Sequence, residues 1–479
     1  MKRMLAPVAV AWLLGLHVAL AAAADDADAW TPLFDGKSLA GWKAAENPDS
    51  FTARDGAIVF EGPRAHLYYS GDVGGANFKN FELKVDVMTA PGANSGVYFH
   101  TRYRPSGWPG SGFEVQINNT QPPHGNYYEF KKTGSLYGIR NQFKSIAPDN
   151  RWFTMHIAVT GRRVRTWVDG HLLVDYVEPA ADGQRRRRSL NRGTFALQGH
   201  DPTSKVSFKN IRVKRLPDES TDDTVEEPVV DQRYREILAL QRGNFPLVDF
   251  HVHLKGGLTL EEALAASRAT GVNFGIAANC GVGFPITDDE GIAKYLETMK
   301  GQPCFVGMQA EGREWVDNFS KEAIAKFDYV FTDAMTFTDH RGRRVRLWMK
   351  DEVVVGDKQA FMEMLVERIV TILNNEPIDL YVNPTYLPAT IADEYDELWT
   401  PERMQRVIDA AAKNHVAVEI NARLRLPNAA FIKGAKQAGV KFSLGTNNTG
   451  KELGRLDYAL DMIRECGLKP SDMFMPKGR

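Results

Sequence analysis

The spacing of apolar residues changes once along this chain, across the segment Pro217–Asp231 (PDESTDDTVEEPVVD). From Trp30 to about Leu216, apolar and polar residues alternate in short runs broken by glycines and turns. FELKVDV (81–87), MHIAV, VRTWV before Asp169-Gly170, FALQG (195–199) and VSFKNIRVK (206–214) are examples. A period of two sends successive side chains to opposite faces of a strand. Many short strands without a helical pattern predict an all-β sandwich over 30–216. Beyond Asp231 the runs VDF, VNFGIAA, CFVGMQA, DYVFTDA, IDLYVNP, VAVEINA and VKFSLGT are near-continuously apolar. Most are separated by helical patterns such as LEEALAASRA and AFMEMLVERIVTIL. Such βα alternation predicts a parallel sheet covered by helices, closed into an α/β TIM-like barrel of seven strands over 232–479. The acidic segment 217–231 has little to bury and reads as a linker.

A chain of 479 residues with 43% hydrophobic content is too long for one typical domain. Its formal charge of −1 excludes long-range attraction to nucleic acid or an anionic membrane. Lys2 and Arg3, an apolar run from Leu5 to Leu20 and the small residues Ala21–Ala24 read as a secretory signal peptide over 1–24. A periplasmic or secreted protein is expected. No cysteine follows the apolar run, so a lipoprotein anchor is not expected, and no later segment is apolar enough to span a bilayer. Cys280, Cys304 and Cys466 allow at most one internal disulfide and read as buried, inert thiols. Oligomeric state is not legible.

In the first half, three stretches carry chemistry by parity. Val97 and Phe99 oppose Tyr98, His100 and Arg102; Phe113, Val115 and Ile117 oppose Glu114 and Gln116; Phe195 and Leu197 oppose Gln198 and His200. If these strands share a sheet, one face gathers phenol, imidazole, guanidinium, carboxylate and amide groups. That suits a groove for a carbohydrate, whose hydroxyls take bidentate partners and whose C–H faces stack on rings. A solvated face of incidental polarity is the alternative. The run Arg185–Arg188 reads as an exposed loop, and His66 and His156 receive no role.

WTPLFDGKSLAGWK, GANSGVYFHTRY, GFEVQI, TGSLYG and FALQGHDPTSKVSFKNIRVKRL resemble the 3-keto-disaccharide hydrolase domain family over Trp30–Leu216. The resemblance implies a concanavalin A-like jelly-roll sandwich. It also implies a reaction in which a ketone at sugar C3 acidifies the C2 proton, the C1 aglycone is eliminated and water adds back. Glu114 and His200 are then candidates for base and acid, with His100 as a substitute for either. Arg102, Gln116 and Tyr137 would position the sugar or polarise its oxygens, beside Asn94, Tyr98 and Gln198. A divalent cation held by His and Glu of this face could polarise the ketone instead. The same sandwich also serves as a sugar-binding module.

In the second half, LVDFHVHLKGG places Asp249, His251 and His253 at the end of the first barrel strand. It resembles the opening motif of the polymerase-and-histidinol-phosphatase (PHP) metal-dependent hydrolases and, more distantly, the amidohydrolases. Glu311 is the next matching point. The pattern then departs: Ala278-Asn279-Cys280, Asn383-Pro384 and GTNNT, with Asn447 and Thr449, stand where stronger ligands are expected. The expectation is a degenerate site holding at most one divalent metal on His251, His253 and Glu311, aided by Asp333 or His340. A barrel without catalysis, whose rim of Asn279, Asn383, Glu419, Asn421 and Asn447 reads a polar ligand, stands beside it. Three readings follow: a 3-keto-glycoside-cleaving enzyme, a glycan-binding sandwich feeding a phosphoesterase- or amidohydrolase-like barrel, and a non-catalytic binding protein.

Overall fold

The computed structural model describes residues 29–123, 125, 127–180, 188–339 and 341–476. The signal segment 1–24, Arg185–Arg187 and His340 lie outside these residues. Between Thr31 and Leu216 two antiparallel sheets pack face to face. The outer sheet runs His171–Val177, Arg163–Val168, Phe153–Thr160, Asn80–Thr89, Lys205–Leu216, Ala57–Glu61 and Phe51–Arg54, with Thr31–Pro32 also pairing with Lys205–Leu216. The second sheet has five strands in the order Trp42–Glu46, Ala65–Tyr69, Thr194–Gly199, Asn94–Thr101, Phe113–Asn118. Alternation is realised as expected: Leu83, Val85 and Val87 meet Val97, Phe99, Val115 and Leu197 in one core. The reverse face of the five-stranded sheet carries a separate small cluster of Ala45, Tyr68, Tyr98 and Ala196.

Residues 248–445 contain the closed parallel barrel of seven strands: Val248–Val252, Asn273–Cys280, Phe305–Ala310, Tyr329–Thr332, Leu380–Tyr381, Ala417–Asn421 and Phe442–Gly445. The seam between first and last strand is stitched by a side chain. Asp249 Oδ2 accepts from Thr446 Oγ1 at 2.6 Å, and its Oδ1 accepts from the amides of Thr446 (3.1 Å) and His251 (3.0 Å). Asp249 is thus consumed by barrel closure. Inside the barrel, Tyr329 donates to Phe250 O at 2.7 Å, and a Cβ at Gly307 would lie 2.3 Å from the Tyr329 ring. Glycine there makes room for the phenol. The three thiols are free and buried, with burial pushing those of Cys280 and Cys304 up to about 12. No helix among the described residues is long and apolar enough to cross a membrane.

The acidic segment does not hang loose. Asn80 Nδ2 donates to the carbonyls of Pro217 (2.9 Å), Asp218 (3.2 Å) and Ser220 (3.0 Å). Arg163 pairs with Asp222 at 2.8 Å and Arg162 with Glu227 at 2.5 Å. The segment is a strap along the sandwich rather than the spacer its composition suggests.

The sandwich and the barrel are joined by more than this strap. Asn141 bonds both the side chain and the main chain of Gln241: its N donates to Gln241 Oε1 and its Nδ2 to Gln241 O, each at 2.9 Å. Asn273 accepts from Phe143 N at 3.0 Å and donates to Asn141 O at 2.8 Å. Lys144 reaches Asp328 (2.7 Å) and Cys304 O (3.0 Å), and the Phe143 ring is buried in the barrel's own core. Asn273, Cys304 and Asp328 all stand at or just before the N-terminal ends of barrel strands. The sandwich therefore docks on the end of the barrel opposite the rim where such barrels place their chemistry.

Candidate active site

The site is assembled on the face of the five-stranded sheet that turns away from the sandwich core. In Phe113–Asn118 the core takes Phe113, Val115 and Ile117, which sends Glu114 to the other face. This face is roofed rather than solvated, and Glu114 is only 6% exposed. Its carboxylate is compensated by two donors, Tyr98 Oη on Oε2 at 2.6 Å and Gln198 Nε2 on Oε1 at 2.9 Å. Burial raises its pKa against the lowering effect of these donors and of the nearby Arg188 charge. Tyr98, buried and beside this carboxylate, is pushed well above the usual phenol range. Gly96 leaves the gap through which Glu114 leans: a Cβ there would stand 2.7 Å from Oε1.

His200 follows the strand Thr194–Gly199 at the rim of the same face. Asp201 Oδ2 lies 2.7 Å from its Nδ1, which orients the ring and leaves Nε2 as the working nitrogen. Those hydrogen bonds, from His200 and Thr203, hold the Asp201 carboxyl well below its usual range despite partial burial. The His200 ring is 5.1 Å from that of Trp108.

The other predicted residues divide. Gln198 is on the floor, as described. Gln116 lies between Asn94 and Glu114, its Nε2 3.1 Å from Asn94 Oδ1; with the amide turned, it donates to Glu114 Oε1 at 3.2 Å. Asn94 also donates to Gln121 Oε1 at 3.0 Å. Tyr137 comes from a later segment that pairs with the sheet edge, its amide donating to Glu114 O at 2.9 Å. Its hydroxyl bonds Glu129 at 2.8 Å, and burial, then Glu129, raise its pKa. The Lys131 ammonium lies 4.4 Å over its ring and 3.1 Å from Glu129.

His100 and Arg102 must be corrected. At His100 the backbone turns to φ +54°, and the ladder to Thr194–Gly199 shifts register there. The alternation is broken, so His100 leaves the groove. Its Nε2 donates to Lys79 O at 2.9 Å and its Nδ1 accepts from Asn191 N at 3.2 Å. With both nitrogens engaged and burial lowering its pKa to about 4, it replaces neither acid nor base. Arg102 begins the exposed loop after the strand end at Thr101 instead of lining the groove.

Three residues of the groove were given no role by the sequence: His66, Tyr68 and Trp108. In AHLYY (65–69), Ala65, Leu67 and Tyr69 enter the core, so His66 and Tyr68 face the groove. His66 sits opposite Gln198 in the ladder, edge-on to Tyr98 (5.8 Å) and Trp108 (5.4 Å). The same parity that selected Glu114 places His66 on this face, although a single histidine in a strand received no role from the sequence. Trp108, within the Gly/Pro-rich loop, carried no periodic signal.

At the barrel rim, His251 Nδ1 lies 2.6 Å from Glu419 Oε1 and its Nε2 3.3 Å from Gln309 Oε1. Gln309 Nε2 donates to Glu311 Oε1 at 2.9 Å, where Asn279 also donates at 3.0 Å. His253 Nδ1 donates to Ala277 O at 2.9 Å. Asn383 links Asp333 (2.8 Å) to Asn421 (3.0 Å). The Gln309 amide stands between His251 and Glu311, so the set His251, His253, Glu311 does not fit a resident metal. Among the described residues no group of three His, Cys, Asp or Glu is gathered to hold one. Burial and the neighbouring Asp333 raise Glu311 to about 8. The rim is a network whose members satisfy one another.

The fold and site define a β-sandwich with a roofed polar groove, fused to an α/β barrel. Residues 29–214 match the model of the 3-keto-alpha-glucoside-1,2-lyase-like domain. A 3-keto-disaccharide hydrolase of Bacteroides thetaiotaomicron is 36% identical over 81 residues, 15% of this chain and 28% of that protein. The match thus spans little more than a quarter of the relative. Among solved structures, a candidate glycosyl hydrolase from Parabacteroides distasonis aligns with 24% identity, 39% of this chain, 94% of that one and a TM-score of 0.34. A carbohydrate-binding module from Bacillus subtilis aligns at 12% identity, 36% of this chain, 93% of that one and a TM-score of 0.26.

Proposed function

We propose that the sandwich cleaves 3-keto-glycosides in an exported, carbohydrate-degrading protein. Glu114 removes the C2 proton, made acidic by the neighbouring ketone, and the electron pair expels the C1 oxygen. His200 protonates that leaving oxygen. Water then adds its oxygen to C1 and a proton returns to C2, so the net change is glycosidic hydrolysis. Tyr98 and Gln198 hold the Glu114 carboxylate in place, and Asp201 holds the His200 ring. The observation that carries this reading is the buried carboxylate of Glu114, compensated by neutral donors and raised in pKa by burial. A carboxylate whose pKa burial raises is a stronger base than an ordinary one, as abstraction of a proton from carbon requires.

Two variants test it on a 3-keto-disaccharide. Glu114→Gln keeps the shape and loses the base; His200→Ala removes the acid. Each is expected to lower turnover by about 10²–10⁴ with the fold retained by circular dichroism. Wild-type rates in both would assign the sandwich to sugar binding alone. The reading in which the sandwich feeds a metal-dependent barrel draws no support from the docking geometry, because the barrel rim faces away from the sandwich.

A further inference from the structure

Beneath the loop that carries Trp108, the groove holds polar atoms that nothing among the described residues satisfies. Among the described residues, both ring nitrogens of His66 and Oε1 of Gln198 are buried without a hydrogen-bond partner. The Tyr68 hydroxyl, near the Arg104 backbone, closes no bond of good geometry either. Buried polar groups are nearly always partnered, and each orphan is costly. Three side chains from two neighbouring strands, on one face and beside Glu114, are not a random residue of folding. The barrel rim makes the contrast, since its carboxylates, amides and imidazoles bond one another.

We infer that His66, Tyr68 and Gln198 Oε1 form a subsite for the hydroxyls of a neutral sugar, roofed by the Trp108 loop. The inference rests on the carbohydrate reading of the groove, not on its keto chemistry. The orphans set the ligand class. Burial lowers His66 to about 4, so its ring is neutral and offers one donor and one acceptor. Tyr68 adds a hydroxyl and Gln198 an acceptor. A mixed, uncharged donor–acceptor set matches vicinal hydroxyls. Trp108 is 39% exposed and supplies a ring at the mouth on which a sugar face can stack.

The roof has a latch. Glu46 accepts from Gly107 N, its own amide donates to Pro105 O at 3.1 Å, and Arg64 pairs with it through Nε at 3.1 Å. Arg64 in turn lies 5.0 Å over the Trp108 ring. Glu46 is largely buried in this latch while Arg64 is partly exposed.

The test uses the full chain and a non-oxidised gluco-disaccharide as probe, so that binding is read without turnover. Replacing an unpartnered buried imidazole by an apolar side chain loses no hydrogen bond. His66→Leu should therefore fold with a Tm at or above wild type, while calorimetric affinity for the disaccharide falls at least ten-fold. His66→Asn, which keeps a donor and an acceptor, should retain more affinity than His66→Ala. Tryptophan emission should change on sugar addition in the wild type and not in Trp108→Phe. Unaltered affinity in His66→Leu and His66→Ala, a fall in Tm without loss of affinity, or no saturable binding by the wild type would each overturn the subsite. Saturable binding without cleavage of the keto-disaccharide would instead remove the proposed activity and leave the subsite standing.

Discussion

Glu114 reaches Gln198 by leaning across the neighbouring strand at Gly96, where the groove face has no Cβ. Gly96→Ala would press a methyl group against Oε1 and Cγ of the carboxylate, and the surrounding sheet cannot move aside. Turnover should fall by about 10²-fold or more, since a misplaced base fails at sub-ångström error, whereas near-UV circular dichroism should stay native. Retained turnover would mean that Glu114 works from another rotamer. The pH response follows from the same group. Its folded pKa is raised by burial above the ordinary 4.5, so the folded state holds this proton more tightly than the unfolded one. That contribution favours folding below 4.5 and is lost as pH rises through the raised value. Glu114→Gln removes it. The Tm of the variant relative to wild type should therefore climb with pH across that window, in the same range where wild-type kcat/KM rises as the base form appears. A Tm difference that does not vary with pH would contradict the buried, raised carboxyl.

The segment Tyr128–Arg140 is the element that ties the groove to the barrel. One edge pairs with Phe113–Asn118, with Tyr137 beside Glu114; the other rests on Asn244 from the connection between the helix Gln232–Arg242 and the first barrel strand. Asn244 Oδ1 accepts from Phe130 N and from Lys131 Nζ, both at 3.1 Å, and its Nδ2 donates to Tyr128 O at 2.7 Å. Each such bond contributes about 0.5–1.5 kcal/mol, more where the ammonium takes part. Asn244→Ala should lower stability by about 2 kcal/mol and reduce kcat/KM several-fold through the loosened Glu129–Lys131–Tyr137 group. Asn244→Asp, still able to accept from Lys131, should recover part of the rate. A lowered Tm with unchanged kcat/KM would assign Asn244 to stability alone.

For the molecule as a whole, the sandwich–barrel junction is part of the core and not a loose contact. Phe143 belongs to the sandwich by sequence and to the barrel by packing, at 2% exposure. Phe143→Ala should cost about 3–5 kcal/mol, the range for truncating a buried aromatic. In calorimetry the full chain should unfold in one transition that Phe143→Ala splits into two. Two transitions already present in the wild type would mean that the junction does not couple the halves. Docking at the N-terminal ends of the barrel strands keeps the groove and the rim on separate surfaces, so substrate transfer from groove to rim has no short path.

Alternation alone carried the reading a long way. A run such as FELKVDV can bury an apolar face in only one register, so the sandwich and the facing of Glu114 and Gln198 were legible in the sequence, while the seven-stranded barrel was legible from near-continuous apolar runs alternating with helical patterns. His66 and Tyr68 face the groove by the same parity in AHLYY, although His66 received no role from the sequence and Tyr68 was not singled out. What sequence pattern could not reach were features set by long-range contacts. The bulge that turns His100 toward Lys79 depends on one backbone dihedral. The conversion of Asp249 into a seam clasp depends on Thr446, 197 residues away. The Gln309 amide between His251 and Glu311, and the strap made of an apparent linker, likewise depend on partners distant in the chain. Local periodicity encodes which face of a strand is apolar because burial acts on each side chain separately. Which polar groups meet on the other face is settled by pairing between strands, and a carboxylate or imidazole carries no mark of its partner until the sheet has closed.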